Sequence, residues 1–169
     1  MPALAAGCAT TPPALTANEV RAIVTAPDRS QADRDNDARR SPEKLVEFYG
    51  LFPGMRAFDL SAGRGYNAEL IARGVGPKGI VYAHNTPDFV QRFVKDGLDQ
   101  RLKTPAARNI VPVVREFEDP VPPEVRDLDL VTFNFNYHDL TYMGIDRARL
   151  NRAVFDSLKS GGVYVVADH

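Results

Sequence analysis

Seven residues carry the densest chemical signal in the chain. In "DLSAGRG", Asp59 to Gly65, an acid closes an apolar run, and Ser61, Ala62, Gly63 and Gly65 leave little side chain around the bend that follows. A glycine-bearing bend lets backbone approach a ligand closely and aims N–H groups at it. Gly63-Arg64-Gly65-Tyr66-Asn67-Ala68 satisfies the dinucleotide pattern G-x-G-x-x-G/A, which alone is weak. A triphosphate loop is excluded, because no Gly-Lys-Ser/Thr follows. A nicotinamide dinucleotide wants an acid at the end of the next strand to hold its ribose. That strand ends in Ala83-His84-Asn85, with no acid before Asp88.

The remaining reactive residues are sparse. His84, His138 and His169 form no local metal motif, and the single cysteine, Cys8, excludes an internal disulfide or a cysteine-rich zinc site; no metal is expected. The chain has 169 residues, 44% of them hydrophobic and 25% charged, with a formal net charge of -1. This is the composition of an ordinary globular protein, with no basic excess pointing to nucleic acid. The charge-dense segment 26–44, "APDRSQADRDNDARRSPEK", reads as a solvated helix face with internal ion pairs. Its arginines Arg29, Arg34, Arg39 and Arg40 offer the alternative of a clamp for an anionic acceptor.

Alternating elements must position the bend. Short runs rich in branched residues, "AFDL", "GIVYA", "NIVPVV", "LDLVTFNF" and "GGVYVVA", take turns with helical stretches over roughly 66–74, 87–103 and 146–159. Strand and helix in alternation predict an α/β fold, a Rossmann-like doubly wound and mostly parallel sheet with helices on both faces. Pro112 removes a ladder donor and places the third strand at an edge. Two or three helices come first. Thr16 is a candidate N-cap for one, and Ser41-Pro42-Glu43 opens another that carries Leu45, Val46, Phe48 and Tyr49 on its apolar side and ends at Gly50. No run approaches the ~20 apolar residues of a membrane span.

Asp59 adds an acid four positions before Gly63, and the resulting D-x-S-x-G-x-G resembles the first motif of class I S-adenosylmethionine-dependent methyltransferases, with Ser61 at a usual glycine. Asp129-Leu130-Val131 with His138, then "LNRAVFDSLKSGGVYVVADH", resemble the fourth and fifth strand segments of that superfamily, with Ser160 in place of a proline. From about residue 27 onward the chain is similar to a group of bacterial predicted methyltransferases, many of them exported. The resemblance implies five strands in the order 3-2-1-4-5, with residues 16–169 as a methyltransferase-like domain that is truncated at its C-terminus. It implies S-adenosylmethionine as cofactor and methyl transfer to a small-molecule acceptor.

By position, Asp59, Ser61, Ala62, Gly63, Arg64 and Gly65 would hold the amino acid end of the cofactor, and Asn85 the ribose hydroxyls. Glu118 or Asp119 would accept from the adenine amine beside Phe117. His138 would act as general base, Asp139 would orient it or bind substrate, and Asn136 and Tyr137 would position the acceptor. Two rivals stand beside this reading: a binding protein that keeps the fold without turnover, and, less well supported, a nicotinamide-dependent oxidoreductase. Residues 1–15 read either as a flexible leader or as the remnant of an export signal with Cys8 as a lipid anchor. Location therefore stays open between exported or lipid-anchored and cytoplasmic.

Overall fold

The computed structural model describes residues 12–94 and 97–168. Cys8 and most of the leader lie outside them. Five parallel strands, β1 (Arg56–Leu60), β2 (Ile80–Asn85), β3 (Ile110–Val114), β4 (Leu128–Asn134) and β5 (Leu158–Ala167), form one sheet in the order β3-β2-β1-β4-β5. This is the expected Rossmann-like arrangement, and Pro112 does lie on the outer strand β3.

The helices follow their sequence signals unevenly. At the start of α1 (Ala17–Val24), Thr16 and Glu19 make a reciprocal capping box. Ser30 caps α2 (Gln31–Arg40) by accepting from the Asp33 N–H at 3.1 Å. Ser41 was expected to cap α3 (Pro42–Tyr49), but it takes the left-handed conformation that ends α2 (φ 47°) and its hydroxyl makes no cap bond. On α3, Val46 and Tyr49 are buried three positions apart, whereas Phe48, expected beside them, lies on the outer side and is 72% exposed. α4 (Tyr66–Val75) connects β1 to β2.

The stretch 87–103, expected as one helix, is broken into α5 (Pro87–Phe89), a π-helical turn (Val90–Val94) and α6 (Gly97–Leu102). Gly97, a poor residue for a helix interior, sits where a Cβ would lie 2.7 Å from Arg64 Cγ, so its bareness admits the Arg64 stem. α7 (Asp139–Tyr142) follows β4, and α8 (Arg147–Ser157) stops short of the expected residue 159 because Leu158 already begins β5.

Side-chain alternation divides the sheet into two cores. Ala57, Leu130, Val81 and Ala83 face the side packed by Val20 of α1, Val46 of α3 and Leu70 and Ile71 of α4. Phe58, Leu60, Val131 and Phe133 face the side packed by Leu150 and Val154 of α8.

The charge-dense segment departs most from expectation. Arg29 and Asp33 are buried, not solvated. Arg29 grips Asp37 through two bonds of 2.8 Å. Arg101 of α6 holds Asp33 at 2.8 and 3.0 Å and also pairs with Glu69 of α4. Arg73 links Glu69 at 2.8 Å to Asp28 at 2.9 Å. The sequence pattern hides this because the partners Glu69, Arg73 and Arg101 lie on other elements. The result is a strap that holds α2 to α4 and α6.

Candidate functional site

In an open parallel sheet, ligands bind beyond the carboxyl ends of the strands where the order reverses, which here is between β1 and β4. At that point alternation sends Asp59, Thr132 and Asn134 to one face, towards Tyr49 of α3 and Asn67 of α4. Asp59 is 1% exposed, and one oxygen, Oδ1, accepts from Asn67 Nδ2 at 2.8 Å and from Thr132 Oγ1 at 2.7 Å. Tyr49 Oη lies 2.9 Å from Asn67 Oδ1 and 3.0 Å from Asn134 Oδ1, with one proton to serve both. Burial raises the Tyr49 phenol well above its ordinary value, so it remains a donor.

The network is left incomplete on one side. Asp59 Oδ2, Asn134 Nδ2 and Arg40 Nε are buried without a hydrogen-bond partner. All three residues line one cavity of about 380 Å³. Buried polar atoms are nearly always satisfied, so each exception calls for an explanation. Burial raises the Asp59 carboxyl to about 6, against the lowering effects of Thr132, Asn67, the nearby Arg40 charge and the Ala68 backbone N–H.

The bend forms one wall of this cavity, through Ser61, Ala62, Gly63 and Arg64. The end of β2 holds it in place. Ser61 N–H donates to His84 Nδ1 at 3.4 Å and Ala62 N–H to the His84 carbonyl at 2.8 Å. His84 Nε2 lies 2.9 Å from the Arg115 carbonyl, which requires the Nε2–H tautomer. Burial pushes His84 down to about 4, so it is neutral at physiological pH and Nδ1 is free to accept. Ser61 has φ 53° and Gly63 φ 60°, and a Cβ at Gly63 would meet nothing within 4 Å. The space beside the bend is therefore open. Gly65 (φ 82°) instead closes on protein, since a Cβ there would lie 2.8 Å from Arg101 Cδ.

Helix α2 covers the other side. Its lining residues Ala32, Asp33, Asn36 and Arg40 recur at helical spacing. The Arg40 guanidinium lies 4.8 Å from the Tyr66 ring centre and 5.2 Å from that of Phe135. Phe135 itself has φ 65°, a strained backbone for a bulky residue and one that collects at functional sites.

The expected site residues separate into two groups. Asp59, Ser61, Ala62, Gly63, Arg64 and Asn136 line the cavity, with Gly65 buried next to them. Asn85 does not line it. Its Oδ1 accepts from Gly63 N–H at 2.8 Å and its Nδ2 donates to the Gly63 carbonyl at 3.0 Å, so it braces the bend. Glu118 is likewise outside the lining, Asp119 pairs with Arg115, and Phe117 packs between His84 and Phe133, 5.7 and 5.8 Å away, as part of the core.

Tyr137, His138 and Asp139 stand beside the cavity, not in its lining. Tyr137 Oη accepts from Asn151 Nδ2 at 2.9 Å. His138 Nδ1 lies 2.7 Å from Asp168 Oδ1, and Nε2 3.2 Å from Asp139 Oδ1. Asp168, at the end of β5, is thus a second carboxylate on this imidazole that sequence spacing did not suggest. Thr132, Asn134, Asn67 and Tyr49 also went unrecognised; polar residues at the inward positions of an apolar strand were the available signal. Among the described residues no group of three or more His, Cys, Asp or Glu side chains is placed to hold a metal, and no helix is long and apolar enough to cross a membrane.

Neither a protein-family model nor a curated protein matches the sequence. Solved structures do. A SAM-dependent methyltransferase from Aquifex aeolicus superposes with a TM-score of 0.61 at 19% identity, over 86% of this chain and 68% of that one. An arsenic(III) S-adenosylmethionine methyltransferase from Chlamydomonas reinhardtii gives 0.58 at 22%, over 94% of this chain and 50% of its own. Aeropyrum pernix fibrillarin, solved with natively bound S-adenosyl-L-methionine, gives 0.53 at 20%, over 73% and 52%. The chain therefore spans between half and about two thirds of the length of these proteins. At these identities the likeness establishes the fold, that of the class I methyltransferases.

Proposed function

We propose that the protein binds S-adenosylmethionine in the cavity between β1, β4 and α2 and transfers its methyl group to a small-molecule acceptor. The observation that carries this reading is the convergence of Asp59 Oδ2, Asn134 Nδ2 and Arg40 Nε, all buried and unpartnered, on that one cavity. The residues fit the cofactor. Asp59 Oδ2 offers an acceptor for an ammonium, and the open space beside Gly63 admits a ligand against bare backbone. When bound, the cofactor supplies a methyl group already activated on a sulfonium.

The protein's own contribution is then mainly to align the reactants and to exclude water. His84 and Asn85 fix the bend, α2 covers the cavity, and Asn136 stands in the lining where it can orient an acceptor. His138, between Asp168 and Asp139, is the candidate for receiving an acceptor proton, and it stands outside the cavity lining. That position is the specific point in favour of the rival reading, a binding protein without turnover.

The test pairs calorimetric titration with a radiolabelled methyl-transfer assay over a broad metabolite panel. Saturable binding of S-adenosylmethionine and S-adenosylhomocysteine, lost in Asp59→Ala, with label recovered in an acceptor, supports the proposal. Binding with no transfer favours the rival. Heat with a nicotinamide dinucleotide alone contradicts both.

A further inference from the structure

The unpartnered atoms of the cavity, Asp59 Oδ2, Asn134 Nδ2 and Arg40 Nε, are buried from solvent. No ligand can meet them while every wall keeps its place, so one wall must yield. The sheet end and α4 are fixed by the two cores, through Leu60 and Phe133 in one and Leu70 and Ile71 in the other. The bend is braced by His84 and Asn85. Helix α2 has no such support. Asp33 is its one buried residue, whereas the neighbouring α1 and α3 bury Val20, Val24, Val46 and Tyr49.

A helix in a folded protein owes most of its hold to an apolar face, which α2 does not bury. Its contacts are polar instead. Asp33 takes two bonds from Arg101 of α6, at 2.8 and 3.0 Å, and Asp37 accepts from Tyr66 Oη of α4 at 2.6 Å and from Arg29. Asp33 and Arg101 both line the cavity, so their pair joins α2 to α6 across its rim. A turn before Ser30 and the left-handed Ser41 (φ 47°) flank the helix.

The chemistry of such a closure makes it reversible. Removing one member of a buried pair by substitution strands the other, but opening returns both charges to water and recovers the desolvation that the pair cost. Undocking an apolar helix recovers nothing of the kind. Segments held by few buried apolar contacts are also those that open locally.

We infer that α2 is a lid over the cavity, latched by Asp33 on Arg101, and that ligand enters and leaves when this latch opens. The inference rests on the cofactor reading only for the ligand used to test it. Asp33 and Arg101 thereby act on the rate of exchange and not on the chemistry of the site.

Hydrogen exchange of the ligand-free protein, paired with stopped-flow release of S-adenosylhomocysteine, tests this. Asp33→Asn should speed exchange of the central α2 amides about tenfold or more and those of α4 by much less, which also shows that the variant is folded. Release of S-adenosylhomocysteine should accelerate by a similar factor. Arg101→Lys, which keeps the charge and loses the two-bonded grip, should give a smaller rise in both. Exchange that rises equally in α2 and α4, α2 exchange unchanged in both variants, or release that stays constant while α2 loosens overturns the lid and leaves the cofactor reading intact. Loosening confined to α2 in a protein that binds no adenosyl ligand supports the lid and overturns the cofactor reading.

Discussion

The strap and the cavity floor are built from the same residue types and treat them in opposite ways. In the strap, Asp28, Arg73, Glu69, Arg101 and Asp33 form an unbroken alternation in which every charge meets a partner, and Arg29 and Asp37 close beside it. In the floor of the cavity that Asp33 and Arg101 also line, Asp59, Asn134 and Arg40 each keep one buried atom unsatisfied. Full pairing joins the elements, because removing either arginine leaves an acid at one end without its partner. Incomplete pairing gives a site that is unstable alone and completed by a ligand. The first serves the fold; in the proposed function the second serves binding.

Four substitutions sharpen this contrast. The largest effect is expected in the strap: Arg101→Met strands Asp33 and deprives Glu69 of one partner, and should lower stability by about 3–5 kcal/mol in urea denaturation. If the loss is no larger than that of the exposed Arg152→Ala, which breaks a solvated 3.8 Å pair with Asp156 and a surface contact with the Phe155 ring, the strap carries no weight.

In the floor the sign reverses. Asp59 has a raised folded pKa, so the folded state holds its proton more tightly than the unfolded chain does. The stability this proton provides is present below the ordinary carboxylate range and is lost as pH rises through about 6. Asp59→Asn keeps the acceptor for Asn67 and Thr132 and removes the charge. It should therefore stabilise the ligand-free protein by about 2 kcal/mol at pH 7.5, a Tm rise of about 4–8 °C, and should leave it unchanged near pH 3.5. A lower Tm at pH 7.5 would mean that the floor is built for stability after all.

Smaller effects come from the bend between the two regions. Gly65→Ala forces a side chain onto a φ of 82° and against Arg101 Cδ, and should lower stability by roughly 1–3 kcal/mol. Ser61→Gly relieves a φ of 53° and should raise stability by no more than about 1 kcal/mol. Both are read from thermal melts.

The division between strap and floor also marks what could be read beforehand. Strand and helix alternation, Pro112 at an edge and the bend from Asp59 to Gly65 are local patterns, and the structure keeps them. Asp33 could not be recognised as buried, because its partner Arg101 lies 68 positions away. The contact of Asn85 with Gly63 was equally illegible, because the two lie 22 positions apart. Arg40 read either as one more charge on a polar helix or as part of an anion clamp, and its contacts with the Tyr66 and Phe135 rings were not legible in the sequence. Short-range periodicity reports elements; pairing across elements decides which charges hold the fold and which stay available.

The central claim is that Asp59 is left half-paired in order to meet a cationic group of a ligand. Its most direct test is the affinity of the wild-type protein for S-adenosylhomocysteine measured by calorimetry from pH 5 to 8. The account expects saturable binding that is constant above about pH 6 and falls towards tenfold per pH unit below it, as the carboxyl takes up its proton. Affinity that stays level across that range, or no binding at any pH, would contradict it.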